Sequence, residues 1–436
     1  MSISKTHISN ILIAFLGVCF VVILVLLPVH AFLSTWGGTT AGPLLVWKSW
    51  KEILLACLVP IVGAVCWLRP DITKRITASK LNWAVVAYTA LTFIMTFVSS
   101  ASSNAAIAGL LMNLRFLAMF VLGELLLASG ARWVVKLKTG ATSWLVATGV
   151  FLGVLAVLQV TVVPKNYLAQ FGYSKDTTIA PYILVDQDPN ALRAFATMRG
   201  PNTLAAYLLL PLAVALLMCW QNKRAWWAFC SAGVMIIALV LTGSRSAWLG
   251  AAAMFVVVAY AILPHQKLLS WLKFGTIPVI AIVTLVLWLA ITVPAVRLAV
   301  FHSGGNGQAE SLTEGSSDKH LQATLNGARI ALMHPLGLGV GAAGPASFYN
   351  TNGGSIPENY YVQIAEEVGL IGLVLFLAIN FHVGRILWRQ KELLPRALFA
   401  SFIGISVINL FLHGWADDPT AMTWWAIAGL FMMKQK

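Results

Sequence analysis

Four arginines and one glutamate frame the chemistry open to this chain. Arg193 and Arg199 stand in NALRAFATMRGPN, Arg245 in LTGSRSAWLG between two long apolar runs, and Arg329 in KHLQATLNGARIALM. Glu358 opens ENYYVQIAEEVGLIGL, with Asn359 beside it and Glu366 and Glu367 about two helical turns further on. A guanidinium donates paired hydrogen bonds to phosphate oxygens and stays charged when partly buried. Arginines gathered on one side of a membrane therefore point to an anion on that side. The competing role for each is a lipid headgroup contact or a pairing with a loop carboxylate such as Asp186 or Asp188.

Glu358 has two readings of its own. A carboxylate at the mouth of a helix can take a proton as a general base, or it can sit in the first turn and meet the positive end of the helix dipole. His334, His413 and Asp417 are the other candidate bases, the last two in HGWADDPTAM. The triplet Asp186–Gln187–Asp188 resembles the carboxylate pair of metal-dependent glycosyl transferases, but before a proline such a triplet more often makes a turn. The five cysteines, at 19, 57, 66, 219 and 230, lie in apolar runs without paired spacing. They read as small apolar residues, so neither a metal site nor another cofactor is expected.

The elements that must hold these residues follow from composition. Of 436 residues 59% are hydrophobic and 10% charged, and the mean hydropathy is +0.82. That is more apolar surface than a soluble core needs, so the expected fold is an all-α polytopic membrane protein. Windowed hydropathy predicts about twelve spans: 8–29, 51–68, 82–99, 106–129, 141–163, 201–219, 226–242, 247–263, 274–293, 359–382, 397–413 and 420–433. The first run is too long for a signal-peptide core and reads as a retained helix.

Lysines and arginines set the orientation. With the N-terminus cytoplasmic, every inner segment carries basic residues, among them Arg69, Lys74 and Arg75; Arg132, Lys136 and Lys138; and Arg385, Arg389 and Lys391. Lys48, Lys51, Arg193, Arg199, Arg245 and Arg329 then fall on the outer side. The net charge of +14 is thus partly a topology signal and no argument for nucleic acid.

Two outer segments are too long to be connectors, 164–200 and 294–357. In the second, Leu321, Leu325, Ala328 and Leu332 recur at helical spacing, which predicts an amphipathic surface helix near 318–333 with Gln322, Asn326 and Arg329 on another face. It leads into HPLGLGVGAAGP, whose backbone N–H groups could approach an anion or simply let the loop fold back. No GK[ST] follows, so nothing there argues for a nucleotide. Arg115 lies in mid-span, and Glu124, nine residues on, is out of its reach along one helix. A partner from another span is implied.

Four stretches in order, RAFATMRGPNTLAAYLLL, LTGSRSAWL, ARIALMHPLGLGVG and ENYYVQIAEEVGLIGLVLFL, resemble the O-antigen ligase and O-antigen polymerase family of bacterial envelope glycan enzymes. The resemblance implies a nucleotide-independent glycosyl transferase of the cytoplasmic (inner) membrane with its active site facing outside. Its donor would be a polyprenyl-diphosphate-linked glycan and its acceptor a hydroxyl of a glycan, lipid or protein. Arg193 or Arg199, Arg245 and Arg329 match family arginines that engage the diphosphate, with Arg115, Asn359, His334, His413 and Asp417 in support. Where many members carry histidine before asparagine, this chain has Glu358 before Asn359, which makes Glu358 the expected activating residue. The rival expectation is a polysaccharide or lipid transporter or flippase, against which stand the large single outer loop and the lack of a repeated pair of broken helices.

Overall fold

The computed structural model describes residues 5–185, 188, 191–221, 225–262, 310–351 and 353–433, with side chains in the helix that begins at Glu310 described from His320 onward. Ten helices run through the first part: α1 Lys5–Leu26, α2 His30–Thr40, α3 Leu44–Leu68, α4 Pro70–Thr77, α5 Lys80–Phe97, α6 Ser103–Ser129, α7 Arg132–Thr161, α8 Pro201–Gln221, α9 Trp226–Leu241 and α10 Arg245–Ile262. Four follow: α11 Glu310–Met333, α12 Tyr360–Trp388, α13 Leu393–Ile408 and α14 Asp418–Gly429. Two short strands, Ile183–Leu184 and Leu192–Arg193, pair antiparallel in the loop after α7.

Eight helices among the described residues are long and apolar enough to cross a membrane, and the apolar α9 and α13 are shorter. The chain is therefore an all-α, multi-pass membrane protein. The expected ninth span, 274–293, lies outside the described residues. The expected twelfth differs from a full span: α14 has 12 residues, about 18 Å at the helical rise, against a hydrocarbon core about 30 Å thick. It nonetheless joins two levels of the molecule, because its first turn meets α3 and α6 while Phe431, just past its end, lies under the Lys138 ammonium and accepts from Gln390 Nε2 at 2.9 Å.

Loops sort into two sets. On one face, Ser99 bonds Val340, Ser102 bonds Asn350, Thr197 bonds Pro28, and Asn359 bonds Leu410. On the opposite face, Arg75 bonds the Ala128 carbonyl, and Lys138 and Gln390 meet Phe431. The first set holds every candidate arginine outside the spans together with Glu358, and it is called the loop face below.

Glycine pairs bring the site-bearing helices close. A Cβ on Gly250 of α10 would lie 2.6 Å from the Gly404 carbonyl of α13, and one on Gly404 would lie 2.7 Å from the Gly250 carbonyl. Gly123 of α6 sits in the same way against the Ala426 carbonyl of α14. Small residues let helix backbones approach where apolar lipid gives no hydrophobic drive for association. The first pair fixes α10, which begins at Arg245, on α13. The second fixes α14, which begins at Asp418, on the helix that carries Arg115.

Candidate active site

The turn between α9 and α10 carries Arg245. Gly243 takes φ +60° there, a left-handed conformation that costs glycine little. Arg193 braces this turn, its Nε donating to the Thr242 carbonyl at 2.8 Å and its Nη2 to Asn202 Oδ1 at 3.0 Å. The second strand is tied to the end of α9 by Ala194 N donating to the Leu241 carbonyl at 2.9 Å. So Arg193, expected among the ligand-binding arginines, spends part of its fork on the chain itself. Arg245, one residue into α10, is exposed, and among the described residues no side chain pairs with it.

Arg199 is also exposed and lies close enough to Asp417 and Lys48 to act on both electrostatically. Arg329 is exposed on α11. At about 100° per residue, it points away from the face of that helix, marked by Thr324, Gly327 and Ala331, that packs on α12. The apolar stripe Leu321, Leu325 and Leu332 is exposed between those two faces. His334 is exposed just past the end of the same helix.

Glu358 stands outside α12. Its backbone has φ +51°, a conformation seldom taken by a residue with a Cβ and one that tends to persist at functional sites. Asn359 is the N-cap, its side-chain oxygen accepting from Tyr361 N at 2.9 Å and Val362 N at 3.1 Å. The first-turn role that the sequence leaves open for Glu358 is thus filled by its neighbour, because an asparagine oxygen reaches the free N–H groups that a left-handed residue before it cannot. Asn359 Nδ2 also donates to the Leu410 carbonyl and Tyr360 N to that of Asn409. Glu358 and Arg245 are therefore both fixed beside the loop-face end of α13.

The glycine-rich segment after α11 has a different task from anion binding. α12 is broken at Gly369, φ +80°, and the segment fills the break. Leu338 N donates to the Glu366 carbonyl at 2.7 Å, Gly339 N to that of Glu367 at 3.1 Å, and Leu370 N to that of Pro335 at 2.9 Å. Gly341 N takes the Glu367 carboxylate at 2.7 Å, which also accepts from Asn113 and Gln363. These N–H groups are consumed inside the chain. Glycines 337, 339 and 341 all have positive φ, and a Cβ on Gly341 would collide with the Ala105 carbonyl.

A closed ring of charges lies beneath the loop face. Lys51 Nζ meets Asp418 Oδ2 at 2.7 Å and Glu52 Oε2 at 3.1 Å; Arg115 meets Glu52 Oε1 at 2.9 Å, and its Nη2 closes the ring on Asp418 Oδ1 and the Ala416 carbonyl. His30 adds an Nε2 contact to Asp418 at 3.4 Å and accepts the Trp50 indole N–H at Nδ1. Burial opposes charge on Asp418, yet Arg115 and Lys51 hold its carboxyl well below the ordinary range. Arg115 thus finds the partner from other helices that its mid-span position requires. Lys51, read from the sequence as an outer-loop cation, is 1% exposed and lies inside α3, because that helix starts at Leu44 rather than at 51.

Asp417 and His413 flank this ring. Burial pushes the Asp417 carboxyl up to about 6 against the pull of Arg199, and burial lowers the His413 imidazole to about 4. His413 Nε2 has no hydrogen-bond partner among the described residues. Glu52 and His30 are functional-looking residues that sequence reasoning passed over, while Lys51 reads there only as an outer cation and Asp418 only as an acidic candidate beside Asp417. The signal was an adjacent Lys–Glu pair at the head of an apolar run and an Asp–Asp–Pro before the last one.

No curated protein matches the chain. Residues 230–377 match the O-antigen ligase family, a stretch that contains Arg245, Arg329, Glu358, Asn359 and the glycine-rich segment but not Arg193 or Arg199. Over that stretch, about a third of its length, this membrane-spanning chain is similar to the O-antigen ligase family.

Proposed function

We propose that the protein transfers a glycan from a polyprenyl diphosphate carrier to an acceptor hydroxyl, with the loop face on the outer side of the cytoplasmic membrane. Arg245 binds the diphosphate, joined by Arg199 and Arg329, while Arg193 holds the turn that presents Arg245. Glu358 stands where the acceptor is activated. The leaving group carries negative charge, and the glycosidic bond breaks only as fast as that charge is stabilised by groups already in place. A cation at the rim of a membrane helix suits a donor whose tail lies in the bilayer and whose headgroup stands outside it.

The observation that carries this reading is the placing of Arg245, exposed and without a pairing side chain among the described residues, beside the same end of α13 as Glu358. A charge left unpaired in a domain of this family is available for a ligand. The decisive experiment supplies purified protein in lipid with a polyprenyl-diphosphate glycan and an acceptor and no nucleotide. Transfer that depends on Arg245 supports the reading. Movement of the intact lipid-linked glycan across the bilayer without transfer would replace it with a flippase.

A further inference from the structure

One titratable side chain facing Glu358 has no part in the scheme above. His320 of α11 places Nδ1 3.6 Å from Glu358 Oε2. Two contacts fix this approach: Thr324 Oγ1 donates to the Pro357 carbonyl at 2.7 Å, and Gly327 lies so close that a Cβ there would stand 2.7 Å from Pro357 and 2.9 Å from Val362. Residues 320, 324 and 327 share one face of a helix, so the contacts that seat α11 on α12 also set the imidazole over Glu358. The Glu358 side chain is 28% exposed and that of His320 51%, which leaves the far side of the ring open to an incoming molecule.

We propose, resting on the transferase reading, that His320 and Glu358 work as a pair, in which His320 Nε2 takes the acceptor's proton and Glu358 holds the imidazole through Nδ1. Glu358 has positive φ and its carboxylate lies toward His320 of α11, and Asn359 frees it from capping. An ordinary imidazole binds a proton about two pK units more tightly than an ordinary carboxylate and is the stronger base toward a hydroxyl. A carboxylate on Nδ1–H fixes the tautomer with its lone pair on Nε2 and balances the imidazolium that forms. A separation of 3.6 Å is ion-pair reach and longer than a hydrogen bond, and such pairs shorten when substrate closes the site. In the step itself, the acceptor oxygen gives its proton to Nε2 and bonds the anomeric carbon. The bond from that carbon to the diphosphate oxygen breaks, and its electron pair leaves with the diphosphate on Arg245. The imidazolium then returns its proton to water.

The test compares His320→Ala, Glu358→Gln and the double variant for transfer from a polyprenyl-diphosphate glycan, with and without added imidazole. The pair predicts a fall in kcat of about 10²-fold or more in each, donor KM within about twofold, no further loss in the double variant, and partial recovery of His320→Ala by imidazole. A surface histidine with a merely structural role would not be rescued. If His320→Ala keeps at least a third of wild-type kcat while Glu358→Gln is inactive, the pair is overturned and Glu358 alone stands. If both keep near-normal turnover while Arg245→Ala does not, the pair and the Glu358 assignment both fail. A readout independent of turnover uses a His320→Cys/Glu358→Cys protein in membranes, where a short bis-methanethiosulfonate should link the two positions. Absence of that link overturns the pairing even in a protein for which no transfer is found.

Discussion

The protein keeps two sets of charges with opposite arrangements. In the ring, Lys51, Glu52, Arg115 and Asp418 are paired in alternation, the first three buried and Asp418 partly so. At the loop face, Arg199, Arg245 and Arg329 are exposed, and among the described residues no lysine or arginine pairs with Glu358, which faces His320. The ring's members come from three helices and close on one another. A buried charge is tolerable only when paired, and its removal leaves a partner stranded. The rim costs little to expose and keeps its charge free for a ligand. Strength of electrostatics alone would nominate the ring as the active site; availability nominates the rim.

Substitutions at five positions test this division. The largest effect is expected at Glu358. Glu358→Gln preserves size and hydrogen bonding and removes the negative charge, so turnover should fall about 10²–10⁴-fold with donor affinity kept. Because Asn359 already caps α12, thermal stability should stay within about 0.5 kcal/mol. A variant that turns over normally would empty the rim of its chemistry.

Arg245→Ala comes next, with a loss of about 10²–10³-fold, the usual cost of deleting one donor to a developing anion. Arg245→Lys should recover little, since a point charge does not reproduce the planar fork. Near-normal kcat in Arg245→Ala at saturating donor would make the arginine a headgroup anchor. By contrast Arg115→Met should act on folding. It leaves Glu52 and Asp418 sharing one lysine inside the protein, a change of about 3–5 kcal/mol, read as lost detergent-extracted folded protein with turnover per folded molecule much less affected. If Arg115→Met folds normally and fails only in catalysis, the ring belongs to the site.

What the sequence made visible follows the same line. Hydropathy is local, so apolar runs announce helices such as α5, α6 and α8. Helix starts are blurred where helices extend into polar flanks, and that hid Lys51 and Glu52 two turns inside α3. A sequence shows a cation without showing its partner. Lys51 therefore looked like a loop residue and Arg193 like a free donor, when Asp418 holds one and Thr242 and Asn202 hold part of the other. The glycines after α11 correctly signalled unusual backbone, but glycine spacing does not say whose oxygen the N–H groups will meet. Here it is the chain's own Glu366 and Glu367. His320 had no signal, because it becomes interesting only when α11 is laid over Pro357.

The smallest effect is expected at the border of the two regions, where Arg199 of the rim acts on Asp417 beside the ring. Burial raises the Asp417 carboxyl from an ordinary 3.8 to about 6, so in this window the folded protein holds a proton that the unfolded chain has lost. Stability from this group therefore declines as pH rises from about 4 through 6, and the full cost is present above that. Two pK units correspond to about 3 kcal/mol; because the side chain is partly exposed, about 1 kcal/mol is the reasonable expectation. Asp417→Asn should melt higher than wild type at pH 8 and equally at pH 4. Arg199→Ala should enlarge the difference, because the cation that favours the charged form is gone. If Arg199→Ala instead leaves the pH dependence of melting untouched and weakens donor binding, Arg199 belongs wholly to the rim. If it shifts melting and spares binding, the boundary between the paired and the available charges runs on the solvent side of Arg199, and the donor site narrows to Arg245 and Arg329.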